Sequence, residues 1–339
     1  MSAKGDAPRL RDDVATLTAL VQQVAKYRQI DETFVEKDFW VTELLRSIAS
    51  GGVINTVNNN SENVTAIFKG GTSLSRIFHI INRFSEDVDI LLVFPTDTSK
   101  GARDRVLRNF DERAREHLGL KKEERSTQES TTGVKRNVRY FYPRIFNNPS
   151  TREYLLLEMG SRGGPNPHQK YTLRSMIAEY AADQLDQGSE TWEEFEPFDI
   201  QVLNPERTLL EKLALLHNIA TRFENDEITA EKEMTLAGRH FYDIKFLLED
   251  HRVREALARF GASGINEIVK DIDERSRLAG WSFTPRPQNG FAESPVFDPK
   301  AKCRGSAEKG YETAKVLFNG EVPTFAECLE AVKVSRDLI

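Results

Sequence analysis

Residues 68–94 of the chain run Phe-Lys-Gly-Gly-Thr-Ser-Leu-Ser-Arg-Ile-Phe-His-Ile-Ile-Asn-Arg-Phe-Ser-Glu-Asp-Val-Asp-Ile-Leu-Leu-Val-Phe. Leu74, Ile77, Phe78 and Ile81 recur at i, i+3, i+4 and i+7, which predicts a helix after the glycine pair Gly70-Gly71. Asp87 and Asp89 then lead into the apolar run Ile90–Phe94, which predicts a buried strand. Side chains two apart on a strand share a side, so the two carboxylates project together where that strand begins. Such a pair repels itself unless a cation lies between. A hard divalent ion, Mg²⁺ or Mn²⁺, meets that need. The glycine pair admits backbone conformations that other residues resist, and the N–H groups that open a helix favour an anion. Gly70, Gly71, Thr72 and Ser73 therefore form a candidate phosphate cradle, with Lys69 as a cation beside it. The plainer alternative is a strand-to-helix turn capped by a hydroxyl, with Lys69 simply ending a strand.

A phosphate cradle one short helix upstream of an Asp-x-Asp resembles the DNA polymerase β-like nucleotidyltransferase superfamily. Lys69-Gly-Gly-Thr-Ser-Leu74 followed by Arg83-Phe-Ser-Glu-Asp-Val-Asp89 is similar to the AbiEii/AbiGii-type nucleotidyltransferase toxins of abortive infection. Glu36-Lys-Asp-Phe-Trp-Val-Thr42 and Glu211-Lys-Leu-Ala-Leu215 fit the same family, so the resemblance covers most of the chain. It implies a bacterial toxin that transfers NMP from an NTP to an acceptor hydroxyl and releases pyrophosphate. The implied acceptor is the 3′ end of tRNA, with protein NMPylation as the alternative, and the implied partner is a cognate antitoxin. A reading from a different class is a regulatory module that senses NTP without turnover; the intact Asp-x-Asp, Lys212 and Asp243 speak against it.

Two-metal chemistry gives the aspartates a use, one ion activating the attacking hydroxyl and the other neutralising the leaving pyrophosphate. Such sites take a third carboxylate from a neighbouring strand, and Glu158, ending Tyr154-Leu-Leu-Leu-Glu158, is the candidate. An acid at the end of an apolar strand must be paired, solvated or metal-bound; solvation before Gly160 is the alternative. The resemblance places a triphosphate-binding lysine at Lys212, where an unaided reading would put a solvated helix face, with Arg207 as a second cation. It makes Asp243 an active-site carboxylate that orients Lys212 or Arg239, or serves base catalysis; the alternative is an intrahelical Arg239–Asp243 pair at i, i+4. Arg83 pairs with a carboxylate or contacts the nucleotide, and a phosphate on Ser85 would put negative charge beside the metal. Lys135, Arg136, Arg139 and Arg144 alternate with Tyr140, Phe141 and Tyr142, the composition of an RNA-contacting strand or simply of a basic edge strand. Lys37 and Asp38 join the site or belong with Trp40 to the core; His79 and His217 read as packed.

Bulk properties agree with a globular protein: 339 residues, 39% hydrophobic and 29% charged. No run reaches the ~18 apolar residues of a membrane span, and the polar opening Met-Ser-Ala-Lys lacks a signal-peptide core. Cys303 and Cys328 have no metal-type spacing and suggest free thiols in a reducing cytoplasm. A net charge of −6 argues against stable duplex-DNA binding while leaving room for a local basic path.

Periodicity predicts helices at 9–28, 32–49, 101–118 and 175–187, strands at 65–69, 134–146, 154–159 and 198–203, and an exposed loop at 121–133. Beyond Pro205 the pattern is helical, at 208–222, 236–250, 253–260, 308–318 and 324–337. With no regular βαβ period, the expected fold is α/β (α+β): a nucleotidyltransferase core with a mixed sheet flanked by helices, plus a helical C-terminal half. The expected segments are N-terminal helices over 1–60, a catalytic core over 61–204 and a helical domain over 205–339.

Overall fold

The computed structural model describes residues 7–55, 61–83, 87–149 and 151–339. The chain forms two compact units, one of Met1–Phe68, Glu86–Ser161 and Gln169–Val202, the other of Lys69–Ser85, Arg162–His168 and Leu203–Ile339.

In the first unit, α1 (Val14–Arg28) starts at Asp13, whose side chain accepts the Thr16 N–H. The helix expected from residue 9 is therefore shorter, and Leu10–Asp12 form a separate 3-10 turn. Gln29, at φ 57°, ends α1, and Asp31 caps α2 (Glu32–Ala49). β1 (Gly52–Asn55) pairs antiparallel with β2 (Ser61–Lys69). After β2 the chain enters α3 (Gly70–Arg76), in the second unit, and returns as β3 (Asp87–Val93). Then come α4 (Lys100–His117), β4 (Arg125–Thr131), β5 (Lys135–Tyr140), β6 (Leu155–Gly160), β7 (His168–Leu173), α5 (Met176–Gln184) and β8 (Phe198–Leu203).

The strands form one open sheet in the order β4-β5-β6-β3-β2-β8-β7, with β1 added on β2. β3 runs parallel to β6 and β2 parallel to β8, while β5 is antiparallel to β4 and β6, so the sheet is mixed as expected. Its apolar side includes Val88, Ile90, Val138, Tyr140, Leu155, Leu157 and Met159, all at most 2% exposed. α2 is buried on almost every side and packs on α1, α4 and α5. Trp40 lies in this core, edge-on to Phe39 and 5.4 Å from it between ring centres.

The loop expected at 121–133 is a strand instead. β4 is an edge strand exposed over most of its length, so it carries no apolar alternation to announce it. It turns into β5 at Gly133, whose φ of 68° and closeness to the Lys100 carbonyl leave no room for a side chain. β7, equally exposed and polar, is likewise absent from the sequence prediction, and β5 stops at Tyr140 rather than 146.

The second unit is helical: α3, then α6 (Pro205–Glu224), α7 (Ala230–Leu236), α8 (Arg239–Glu249), α9 (His251–Ala279), α10 (Arg304–Ala314) and α11 (Phe325–Val334). The helix expected to reach Ile81 ends at Arg76. His79 takes φ 53°, and the Ile80 N–H closes the turn on the Leu74 carbonyl at 3.0 Å. The apolar residues at 78, 80 and 81 are buried all the same, so the helix-like spacing reported burial rather than conformation. His79 is exposed at this turn, not packed; His217 is packed, bonded to Ser294 Oγ at 2.9 Å. The expected helix 236–250 is divided between α7 and α8, and α9 extends well past residue 260, broken at Gly261. Phe241, Tyr311 and Phe325 form the aromatic heart of this unit, and Tyr242 stacks on Phe318 at 4.1 Å. Among the described residues no helix is long and apolar enough to cross a membrane, and Cys303 and Cys328 are buried free thiols.

Candidate active site

In the first unit the parallel register of β3 and β6 sets Asp87 opposite Leu156 and Asp89 opposite Glu158. Directly paired residues share a sheet face, so both aspartates and Glu158 lie on one side while Val88, Leu157 and Met159 fill the other. β5 extends the row, with Asn137 opposite Glu158 and Arg139 opposite Leu156. Asn137 Nδ2 donates to Glu158 Oε1 at 2.9 Å.

The three carboxylates press on one another. Burial, then the charges of Asp89 and Asp87, then a hydrogen bond shared with Asp89 push the Glu158 carboxyl up to about 7. Arg152 meets this charge from the edge, its NH1 2.6 Å from Asp87 Oδ1. Arg152 and Asn137 are site residues that the sequence reading did not single out. Asn137 was within reach, because Lys135, Asn137 and Arg139 alternate onto one face; Arg152 lies outside any strand and carries no such signal.

The mixed cations of β5 separate by the same alternation. Arg136 faces the opposite side and pairs with Asp111 at 2.6 Å, whereas Arg139 covers the Tyr154 ring at 4.4 Å and Lys135 pairs with Glu129. Lys37 and Asp38 are buried, as is Glu36. Lys37 donates to the carbonyls of Arg152 and Tyr154, Glu36 accepts the N–H groups of Ile145 and Phe146, and Asp38 accepts that of Met176.

Three hard carboxylates on one sheet face, one of them raised by burial and by the charges of the other two, are the donor set a divalent cation relieves. As the side chains stand, among the described residues no three His, Cys, Asp or Glu groups are arranged to hold a metal ion. The mutual effect on Glu158 nonetheless places the acids close together; Asp87 meanwhile is engaged by Arg152. The acids' oxygen donors on one sheet face suit the chemistry of such an ion.

The remaining sequence candidates lie in the second unit. Gly70 takes φ 79°, and Lys69 precedes α3 in extended conformation without a side-chain cap. Thr72 and Ser73 are buried, and the Ser73 hydroxyl donates to the Gly70 carbonyl at 2.8 Å, which ties it to the turn. Lys69 pairs with Glu211 at 3.2 Å, and Glu211 also takes Arg207 at 3.2 Å. Arg207 is almost wholly buried and bonds Asp271 at 2.8 Å and the Asn166 carbonyl at 2.9 Å.

A second cluster centres on Asp243, which is fully buried. Arg83 grips it in a fork, Nε to Oδ1 at 2.5 Å and NH2 to Oδ2 at 2.9 Å, while Lys212 Nζ stands 2.9 Å from Oδ2 and 3.2 Å from His240 Nδ1. Burial would raise the Asp243 carboxyl, but Arg83 and Lys212 outweigh it and hold the group well below the usual carboxylate range. Burial lowers Lys212, and Asp243 works against that shift. Asp243 thus pairs with Lys212 and Arg83, not with Arg239 four residues back, which is exposed. Ser85 lies outside the described residues.

A family model, Nucleotidyl transferase AbiEii toxin, Type IV TA system, matches residues 57–330. No curated protein matches the chain.

Proposed function

The chain belongs to the AbiEii nucleotidyl transferase toxin family of type IV toxin–antitoxin systems, and from that premise we propose that the acids of β3 and β6 carry an Mg²⁺-dependent transfer of NMP from an NTP to the 3′ end of an RNA, tRNA foremost. The observation that carries this reading is the register Asp89–Glu158 with Asp87 on the same face. Asp87, Asp89 and Glu158 would hold the metal, which would supply a lowered pKa for the attacking hydroxyl and positive charge for the leaving pyrophosphate. The acceptor oxygen attacks the α-phosphorus, the bond to the β-phosphate oxygen breaks, pyrophosphate leaves and the hydroxyl proton passes to a base or solvent.

The β3–β6 pairing fixes the three acids on a rigid sheet, which keeps reorganisation small as charge develops. Asn137 orients Glu158 by its hydrogen bond. Lys69, Gly70, Gly71 and Thr72 remain proposed phosphate contacts and Lys212 a proposed triphosphate cation, whereas Arg207 is buried and committed to Glu211, Asp271 and the Asn166 carbonyl. Asp243 pairs with Lys212, fixes it in place and is a positioning group for it. The family implies an antitoxin partner; its action in the cytoplasm and in phage defence belongs to the same proposal.

The test is incubation with Mg²⁺, each NTP labelled at the α-phosphate, and separated tRNA and protein fractions. Label on tRNA, absent with Asp89→Asn, is the expected result. Label on protein instead would transfer the reading to NMPylation, and NTP binding with no transfer would replace it with nucleotide sensing.

A further inference from the structure

Glu36, Lys37 and Asp38 form a run of three charged residues buried in the middle of α2. Buried charges of this kind are retained only when they are satisfied. Each of these three is spent on main chain of another segment. Glu36 takes the N–H groups of Ile145 and Phe146 at 2.7 and 3.0 Å. Asp38 takes the Met176 N–H at 2.8 Å. Lys37 Nζ donates to the Arg152 carbonyl at 2.8 Å and the Tyr154 carbonyl at 2.7 Å, with the Tyr142 ring 5.6 Å away. The segment that Glu36 and Lys37 hold, 145–154, has no regular secondary structure where it is described, so their bonds stand in for a hydrogen-bond ladder.

The consequence falls on Arg152. Its carbonyl is fixed by Lys37 while its guanidinium reaches Asp87. Tyr154, the other residue whose carbonyl Lys37 holds, lies under the guanidinium groups of Arg139 and Arg152, 4.4 and 5.9 Å from its ring centre. A half-exposed arginine would ordinarily lose such a pairing to its own rotamer freedom. Here the backbone is held at Arg152 itself and again two residues on, at Tyr154.

We propose that Lys37 is a positioning residue that presents Arg152 to Asp87, and that Arg152 is a built-in counter-cation competing with the divalent metal for that carboxylate. The inference rests on the reading of Asp87 as a metal ligand. A metal ion entering the site displaces the guanidinium, and the tethered arginine stays beside the site as a cation for the phosphates of a bound nucleotide. The ion pair thus sets how much free metal the chain needs before it is loaded.

The experiment is direct titration of the full-length chain with Mn²⁺, followed by electron paramagnetic resonance of the free ion without nucleotide or acceptor. Asp87→Asn first shows whether binding needs that carboxylate. Arg152→Gln, an exposed change, is expected to tighten Mn²⁺ binding by ~2- to 5-fold, the size of a partly exposed ion pair. Lys37→Met is expected to tighten it in the same direction, and the double variant to add nothing further. Unchanged or weaker binding in Arg152→Gln, with wild type binding normally, overturns the competition. Additive effects of the two substitutions overturn the positioning role of Lys37. No Mn²⁺ binding by wild type overturns the metal reading itself, a result distinct from the other two.

Discussion

Glu158 on β6 lies opposite Asp89 on β3 and shares a hydrogen bond with it, so two acids that repel one another when charged are held together on one sheet face. Substituting Asp89 therefore has opposite effects on two properties. Asp89→Asn is expected to abolish nucleotidyl transfer while leaving the melting temperature of the metal-free chain unchanged or higher, because one of the repelling charges is gone. Calorimetry beside an activity assay checks this; a large loss of melting temperature would show that Asp89 serves the fold instead.

Asp243 is expected to govern acid stability. Its folded-state pKa is depressed by Arg83 and Lys212. The sign follows from linkage: this stability is present above the unfolded carboxylate value of about 3.9 and is lost as pH falls toward the folded value. Melting temperature should thus hold above pH 5 and drop below about pH 4. Asp243→Asn should cost about 3–5 kcal/mol at neutral pH, since two buried cations lose their partner, and should flatten the acid limb in urea denaturation measured from pH 3 to 7.

Gly164 backs the pair that buried Arg207 makes with the partly exposed Asp271. A Cβ there would come within 2.0 Å of Arg207 NH2 and 2.1 Å of Asp271 Oδ2. Arg207 is anchored at three points and cannot swing away. Gly164→Ala is expected to destabilise by about 1–3 kcal/mol. Urea unfolding measures it, and a neutral result would mean that the pair is loosely held.

The sequence carried the aspartates and the buried strand behind them because both rest on local, period-two geometry. It carried Glu158 as a strand-end acid, but pairing it with Asp89 requires knowing that β6 lies beside β3, a long-range fact without a local signal. The exposed strand β4 was illegible for a related reason, since it is polar on both sides, and β7 offers only Tyr171 and Leu173 on one face, too short an alternation to announce a strand. The His79 turn was misread because residues 74–81 are buried at helical spacing although the helix stops at Arg76. Of the partners of Asp243, Lys212 was named from the family resemblance and does pair with it, but Arg83 was hidden, since Arg239 at i−4 is the local candidate and Arg83 lies far away in sequence.

The central claim is transfer of a nucleotidyl group rather than a phosphoryl group, and double labelling tests it most directly. The chain is incubated with Mg²⁺, tRNA and an NTP carrying distinct labels on its α- and γ-phosphates. The account predicts α-label on the tRNA 3′ end and γ-label in released pyrophosphate, in equal amounts, with both lost in Asp87→Asn. Appearance of γ-label on the RNA, or transfer that survives Asp87→Asn, would contradict it.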